Sequence, residues 1–202
     1  MLKIGGRFGL GRGIILYYHA SDTPGIERLE PRISSHHVPL IYFSKKRENV
    51  LVYLSNAVIK YCIENGFRHE GVWAKWASYG FDKDGVQRIE EYYPNALVET
   101  YMGVGGYIYS AQNVEDCGFQ VKIPDAVTSD IPVPVASCEY VRDAYEAILN
   151  AERKKLIRIT YYDQLSDKTR AWIARTIRNE YENAAGQPDY RFFLKAKFSE
   201  IV

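Results

Sequence analysis

PLIYFSKKRENVLVYLSN, residues 39–56, is the stretch whose reading decides the fold. Leu40, Ile41, Tyr42 and Phe43 form a short apolar run suited to a buried strand, and Ser44 ends it. A helix is predicted to begin near Lys45, with Ser44 as N-cap because its hydroxyl can accept from the unpaired amides of a first turn. Val50, Leu51, Leu54, Ala57, Val58, Tyr61 and Cys62 recur at helical spacing, giving one apolar face, and Gly66 is a natural stop. Tyr42 at the strand end and Tyr53 about two turns into the helix are thereby expected on rigid elements, where they could clamp a flat ring.

Upstream, Ile14 to Ser21 reads as a second apolar strand that delivers His19-Ala20-Ser21 at its end. A strand ending in His-small-Ser, followed by a strand ending in Tyr-Phe-small and a later Tyr, resembles the ADP-ribosyltransferase fold. The likeness is to its poly(ADP-ribose) polymerase and diphtheria-toxin branch, with the His, Tyr and Glu signature at its NAD site. His19-Ala20-Ser21 is similar to that branch's His-Gly-Ser/Thr, and Tyr42-Phe43-Ser44 with Tyr53 to its Tyr-Phe-Ala plus stacking Tyr. The resemblance covers residues 14 to 60 well, continues loosely to about residue 136, and stops there.

What the resemblance implies is NAD as substrate and ADP-ribosyl transfer through cleavage of the nicotinamide–ribose bond with oxocarbenium character. His19 would bind a ribose hydroxyl, backbone groups of Ala20 the carboxamide, and Tyr42 and Tyr53 the nicotinamide ring, with Ser21 and Ser44 as supporting hydrogen bonders. Ala20 stands where the family prefers Gly, and Val50 where better-known relatives carry a carboxamide-binding Ser. A third residue, an acid, should bind the ribose 2′-hydroxyl and favour the developing cation. Three acids compete for that role, in the order Asp125, Glu139 and Asp116. The acceptor stays open among protein, nucleic acid and small molecule. A catalytically silent binding module of the same fold is an alternative, as is nucleic-acid binding through the Gly/Arg-rich N-terminus and the face carrying Arg170, Arg175 and Arg178.

Composition bounds these readings. A chain of 202 residues, 47% hydrophobic, can build a real core, and a net charge of +1 makes no general case for nucleic acid or a membrane surface. Neither a membrane span nor a signal peptide is expected. Cys62, Cys117 and Cys138 are odd in number and lack metal-type spacing, so they read as buried, reduced thiols of a cytoplasmic protein. His36-His37 and His69 have no further ligand at a recognisable spacing and read as solvated. The 17 tyrosines suit ring-shaped ligands and sheet packing equally.

In chain order, residues 1–13 read as a flexible Gly-rich leader, 14–150 as the ADP-ribosyltransferase-like domain, and 151–202 as a helical C-terminal extension packed on it. Residues 22–38 read as a loop. Two short helices are predicted over 67–94, with Trp73, Trp76 and Ala77 on the first one's apolar edge and Asp82 to Gly85 as the turn between them. Extended segments follow at 97–102, 104–111, 119–123 and 131–136. Ser137 is predicted to cap a helix running to about Ala151, residues 156–160 read as a strand, and Ser166 to Ala185 as an amphipathic helix with Trp172, Ile173, Ile177 and Tyr181 buried. The class expected is α+β, with two small packed mixed or antiparallel sheets and flanking helices.

Overall fold

The computed structural model describes residues 15–33, 38–70, 78–119, 121 and 123–202. The leader at 1–13, His36-His37 and Trp73, Trp76 and Ala77 lie outside the described residues. The first half carries β1 (Tyr17–Ser21), β2 (Arg28–Leu29), β3 (Arg32–Ile33), β4 (Pro39–Ser44), a 3₁₀ helix (Glu48–Tyr53) and α1 (Ala57–Glu64). After these come β5 (Tyr79–Phe81), β6 (Gln87–Glu90), α2 (Ala96–Tyr101), β7 (Gly106–Ala111), β8 (Ala126–Ser129), β9 (Val133–Pro134) and β10 (Ser137–Val141). The chain ends with α3 (Ala144–Arg153), β11 (Ile157–Thr160), a 3₁₀ turn (Tyr162–Gln164), α4 (Asp167–Asn183) and α5 (Pro188–Lys197).

The class is α+β. Strands β10, β7, β1, β4 and β3 lie side by side in that order, and β8 joins β4 to complete a six-stranded sheet. A smaller sheet runs β11-β6-β5, with β11 parallel to β6, and β2 and β9 form a two-stranded ribbon. Side chains of the large sheet alternate between its faces. Ala20 and Ile108 point to one, where they meet Leu51 and Val52 of the first 3₁₀ helix, Ile148 of α3 and Ile157 of β11. Ile41, Phe43, Tyr109 and Val127 point to the other and pack with Leu29 and Val133 of the ribbon. A third apolar cluster joins α1, α4 and α5 through Val58, Cys62, Ile173, Ile177, Phe193 and Leu194. Each fully buried aliphatic side chain contributes about 1.5–3 kcal/mol. Residues 151–202 thus supply a strand to the second sheet and two helices to this third cluster.

Several local expectations give way to tertiary context. The single helix after Ser44 is two helices, a 3₁₀ helix and α1, separated at Leu54 to Asn56. Asn49, Val50, Leu51 and Val52 are all buried, so this segment has no solvated face, and its β-branched valines favour an α-helix weakly. Ser44 does not cap it: its Oγ accepts from the Lys46 amide (3.1 Å), two residues on, making a Ser turn. The described part of 67–94 holds a hairpin of β5 and β6 in place of helices, and the turn is where it was expected, with Gly85 at φ 75° donating to the Asp82 carbonyl (2.9 Å). Residues 96–101 are helical, residues 119, 121 and 123 carry no strand, and the 131–136 segment contributes two strand residues. Ser137 starts an edge strand, its Oγ 2.6 Å from Ser110 Oγ, and Asp143 caps α3 by accepting from the Glu146 amide (3.2 Å). Ser166 caps α4 as expected, accepting from the Thr169 amide (3.2 Å), but Trp172 is exposed. Cys117 and Cys138 are exposed and only Cys62 is buried, against the expectation for all three. No described helix is long and apolar enough to cross a membrane.

Candidate functional site

His19 and Tyr42 are brought together because β1 and β4 are sheet neighbours. Their register is fixed at Tyr18↔Ser44 alone, whereas β1 pairs with β7 over Tyr17 to Ser21 and β4 with β8 over Ile41 to Ser44. Beyond Tyr18 the strands diverge. His19 Nδ1 lies 2.9 Å from the Tyr42 carbonyl oxygen, and its ring meets Phe43 edge-on at 6.0 Å. A carbonyl can only accept, so Nδ1 carries the proton, and in the neutral ring Nε2 is the acceptor.

Where the strands diverge there is a cavity of about 350 Å³, walled by His19, Ser21, Thr23, Arg28, Arg32 and Ile41. Its rim is held by Tyr109, a fully buried residue of β7 whose hydroxyl donates to the Thr23 carbonyl (2.7 Å) and accepts from the Ile26 amide (3.2 Å). Ser21 Oγ accepts from the Thr23 amide (3.1 Å), and Gly25 adopts φ 70° in the turn between. Arg28 approaches Glu30 at 3.4 Å with both side chains well exposed, so this weak pair leaves the guanidinium near the cavity at little energetic cost. A volume of this size, lined by a histidine, hydroxyl side chains, two arginines and the glutamate Glu30, can take a ribose, and the lining's one net positive charge favours an attached phosphate.

Tyr42 and Tyr53 share a second cavity, with Ser44, Asn49, Val50 and Phe81. Phe43, the neighbour of the His19 ring, lines it too, but Tyr42 and Ser44 alternate with Phe43 and so point to the opposite face of the sheet. At about 30 Å³ it holds about two water-sized groups and no aromatic ring. The Tyr53 hydroxyl is 2.7 Å from that of Tyr79, the rings meet edge-on at 5.6 Å, and burial pushes the Tyr53 phenol well above its ordinary value. The expected single cleft holding His19, Tyr42 and Tyr53 is therefore corrected to two cavities, one on each side of the β1–β4 seam. Ala20, between them, turns its methyl into the core beside Val50 and Leu51.

The three acids have separate fates. Asp125, at φ 60°, pairs with Lys46 (2.9 Å), and its carbonyl accepts from the Lys45 amide (2.9 Å), so it closes the end of β4 against β8. Asp116 accepts from the Gly118 amide (3.0 Å) and shapes a turn. Glu139 alone lies within the sheet that carries His19. It faces Ile108 on β7, which faces Ala20 on β1, so Glu139 and Ala20 occupy one row on the same face. Helical periodicity around Val141 and Ala144 had disguised this strand. Arg47 grips Glu139 through both oxygens (2.7 and 2.6 Å) and holds its carboxyl below the usual range. Neither Asp125 nor Glu139 lines either cavity.

Residues that sequence reasoning did not single out complete the region. Asn49 is 3% exposed, and both its Nδ2 and Oδ1 lack a hydrogen-bond partner. Its own carbonyl accepts from Gln87 Nε2 (3.1 Å), which fixes the backbone there. Arg47 lies 92 residues from Glu139, and no local pattern could have announced the pair. Elsewhere, His69 is partly buried and not fully solvated: its Nε2 lies 3.3 Å from the buried Asp189 carboxylate. Among the described residues no group of His, Cys, Asp and Glu could hold a metal ion. Arg170 donates to the Leu165 and Tyr162 carbonyls and stacks over the Tyr162 ring, and Arg178 donates to the Ile201 carbonyl, so two arginines of the expected basic face serve the fold. No family model matches the chain, and no curated protein and no solved structure matches it.

Proposed function

We propose that the chain binds NAD across the β1–β4 seam and transfers its ADP-ribosyl group to an acceptor. The observation that carries this reading is the cavity of about 350 Å³ where β1 leaves β4, with His19 and Ser21 projecting from one strand beside Arg28 and Arg32. His19 Nε2 and Ser21 would bind ribose hydroxyls and the guanidinium groups the pyrophosphate. The nicotinamide end would reach Tyr42 and Tyr53 with β1 and β4 parted at the seam, which requires the His19 Nδ1 contact with the Tyr42 carbonyl to open and Tyr53 to turn from Tyr79. Glu139, in the row of Ala20, would leave Arg47 to accept from the 2′-hydroxyl. In the transfer the C1′–N bond breaks, its electron pair leaves with nicotinamide, and the acceptor atom bonds to C1′ and releases its proton.

A second reading, a domain that binds NAD or an ADP-ribose-like ligand without turnover, is favoured by Arg47 occupying both oxygens of Glu139. Calorimetric titration with NAD tests the site. Binding is expected for the wild type and is weakened in His19→Ala; no heat at millimolar NAD removes the transfer reading, and no heat with ADP-ribose as well removes both. A time course of nicotinamide release separates them, because turnover lost in His19→Ala supports transfer, whereas binding without release supports the silent domain.

A further inference from the structure

Away from the seam, α1, α2 and α5 meet around a cavity of about 260 Å³ that shares no lining residue with the two described above. Its floor is aromatic: Tyr93 and Phe193 are buried, and the Tyr61 ring meets Phe193 edge-on at 5.9 Å. Its walls carry four charged side chains, Lys60 and Glu64 from α1, Glu99 from α2 and Lys197 from α5. Lys197 and Glu99 form an ion pair laid over that floor, with Nζ 4.8 Å from the Tyr61 ring centroid and 5.4 Å from that of Tyr93. Lys60 and Glu64 stand one helical turn apart on α1, and neither side chain has a polar partner among the described residues.

Two cations and two anions around one small cavity cancel, so a ligand with a single charge meets as much repulsion as attraction there, whereas one that carries both charges gains from all four groups. An ammonium has three donors and a carboxylate two oxygens, so Lys197 and Glu99 can each serve such a ligand while staying paired. A volume just below the ~300 Å³ at which drug-sized pockets begin restricts the ligand to a small molecule, and the rings of the floor match an apolar group on it. We infer that this cavity is a binding site for a free α-amino acid with an apolar side chain. Its carboxylate meets Lys60 and Lys197, its ammonium meets Glu64 and Glu99, and its side chain lies against Tyr61, Tyr93 and Phe193. The site stands apart from the NAD reading and does not depend on it.

The test is calorimetry on the full chain with three probes: L-phenylalanine, phenethylamine, which lacks the carboxylate, and hydrocinnamate, which lacks the ammonium. L-phenylalanine should bind about fivefold tighter than either, the worth of one half-exposed ion pair. Lys60→Gln should narrow the preference over phenethylamine and keep that over hydrocinnamate, and Glu64→Gln should do the reverse. Lys60 is half-buried and Glu64 exposed, and glutamine is about as good a helix former as either, so both variants should unfold in urea as the wild type does. No heat from L-phenylalanine at millimolar concentration, equal binding of all three probes, or preferences unmoved in either variant overturns the inference. NAD titration of the same variants should match the wild type, so failure here leaves the NAD reading standing, and failure of NAD to bind leaves this site untouched.

Discussion

Glu139→Gln and Arg47→Gln form a matched pair of perturbations whose magnitudes differ enough to separate the role of the acid from that of its clamp. The Arg47–Glu139 contact is bidentate, but the side chains are 34% and 52% exposed. Such a pair is worth at most about 1 kcal/mol once solvent screening is counted. Releasing Glu139 therefore costs a transferase no more than about a fivefold factor in rate, at about 1.4 kcal/mol per decade. Arg47→Gln should raise single-turnover nicotinamide release by up to about fivefold, while Glu139→Gln, removing the charge that favours the cationic transition state, should lower it about 10²–10³-fold with NAD affinity changed little. The pH dependence gives an independent sign. Arg47 holds the Glu139 carboxyl below its ordinary value, so the pair's stabilisation is complete above the unfolded-state value and is lost as pH falls through the depressed folded one. The acid limb of activity should accordingly lie below the usual carboxylate range in the wild type and move up in Arg47→Gln. Glu139→Gln with release within threefold of wild type, on the order of the noise in such comparisons, would refute the role given to this acid.

Three further outcomes follow from the packing and charges. Gly106→Ala puts a Cβ 2.6 Å from Leu54 Cδ2 and 3.1 Å from the Ser21 carbonyl, so it should cost about 1–3 kcal/mol in urea unfolding and weaken NAD binding by displacing the end of β1. Ile177→Ala, in the α1–α4–α5 cluster, should cost about 2–5 kcal/mol, or about 4–20 °C in Tm by calorimetry, with NAD affinity unchanged in the folded fraction. Asp84, bound to Arg158 through both oxygens (3.0 and 2.7 Å), has its carboxyl pulled down to about 2. Its contribution is present above the unfolded value of about 4 and disappears as pH falls through the folded one, so carbon-13 titration should find Asp84 depressed in the wild type and moved up toward the ordinary range in Arg158→Gln, with the Val86 amide still holding it somewhat down.

The sequence by itself determined the elements whose signals are local. Leu40 to Phe43 are apolar over a strand length, Ser166 precedes a helical period with its hydroxyl in capping position, and Asp82 to Gly85 bend the chain whatever flanks them. Order along the chain also carried the α+β class. Tertiary structure decided what local signals share between alternatives. Ser137 to Val141 joins a helical period at Val141 and Ala144, yet pairing with β7 makes it a strand and puts Glu139 in the row of Ala20. Residues 79–90 gain strand form from each other and from β11, which comes from far along the chain. The seam where β1 departs from β4 depends on which strands pair at Tyr18 and Ser44 and on the loop that Tyr109 holds, so no periodicity could place His19 and Tyr53 on opposite sides of it. The Arg47–Glu139 pair and the orphaned carboxamide of Asn49 are likewise properties of assembled surfaces. Whether a polar group has a partner depends on which distant backbone and side-chain atoms crowd it, and a linear pattern of residue types does not encode those distances.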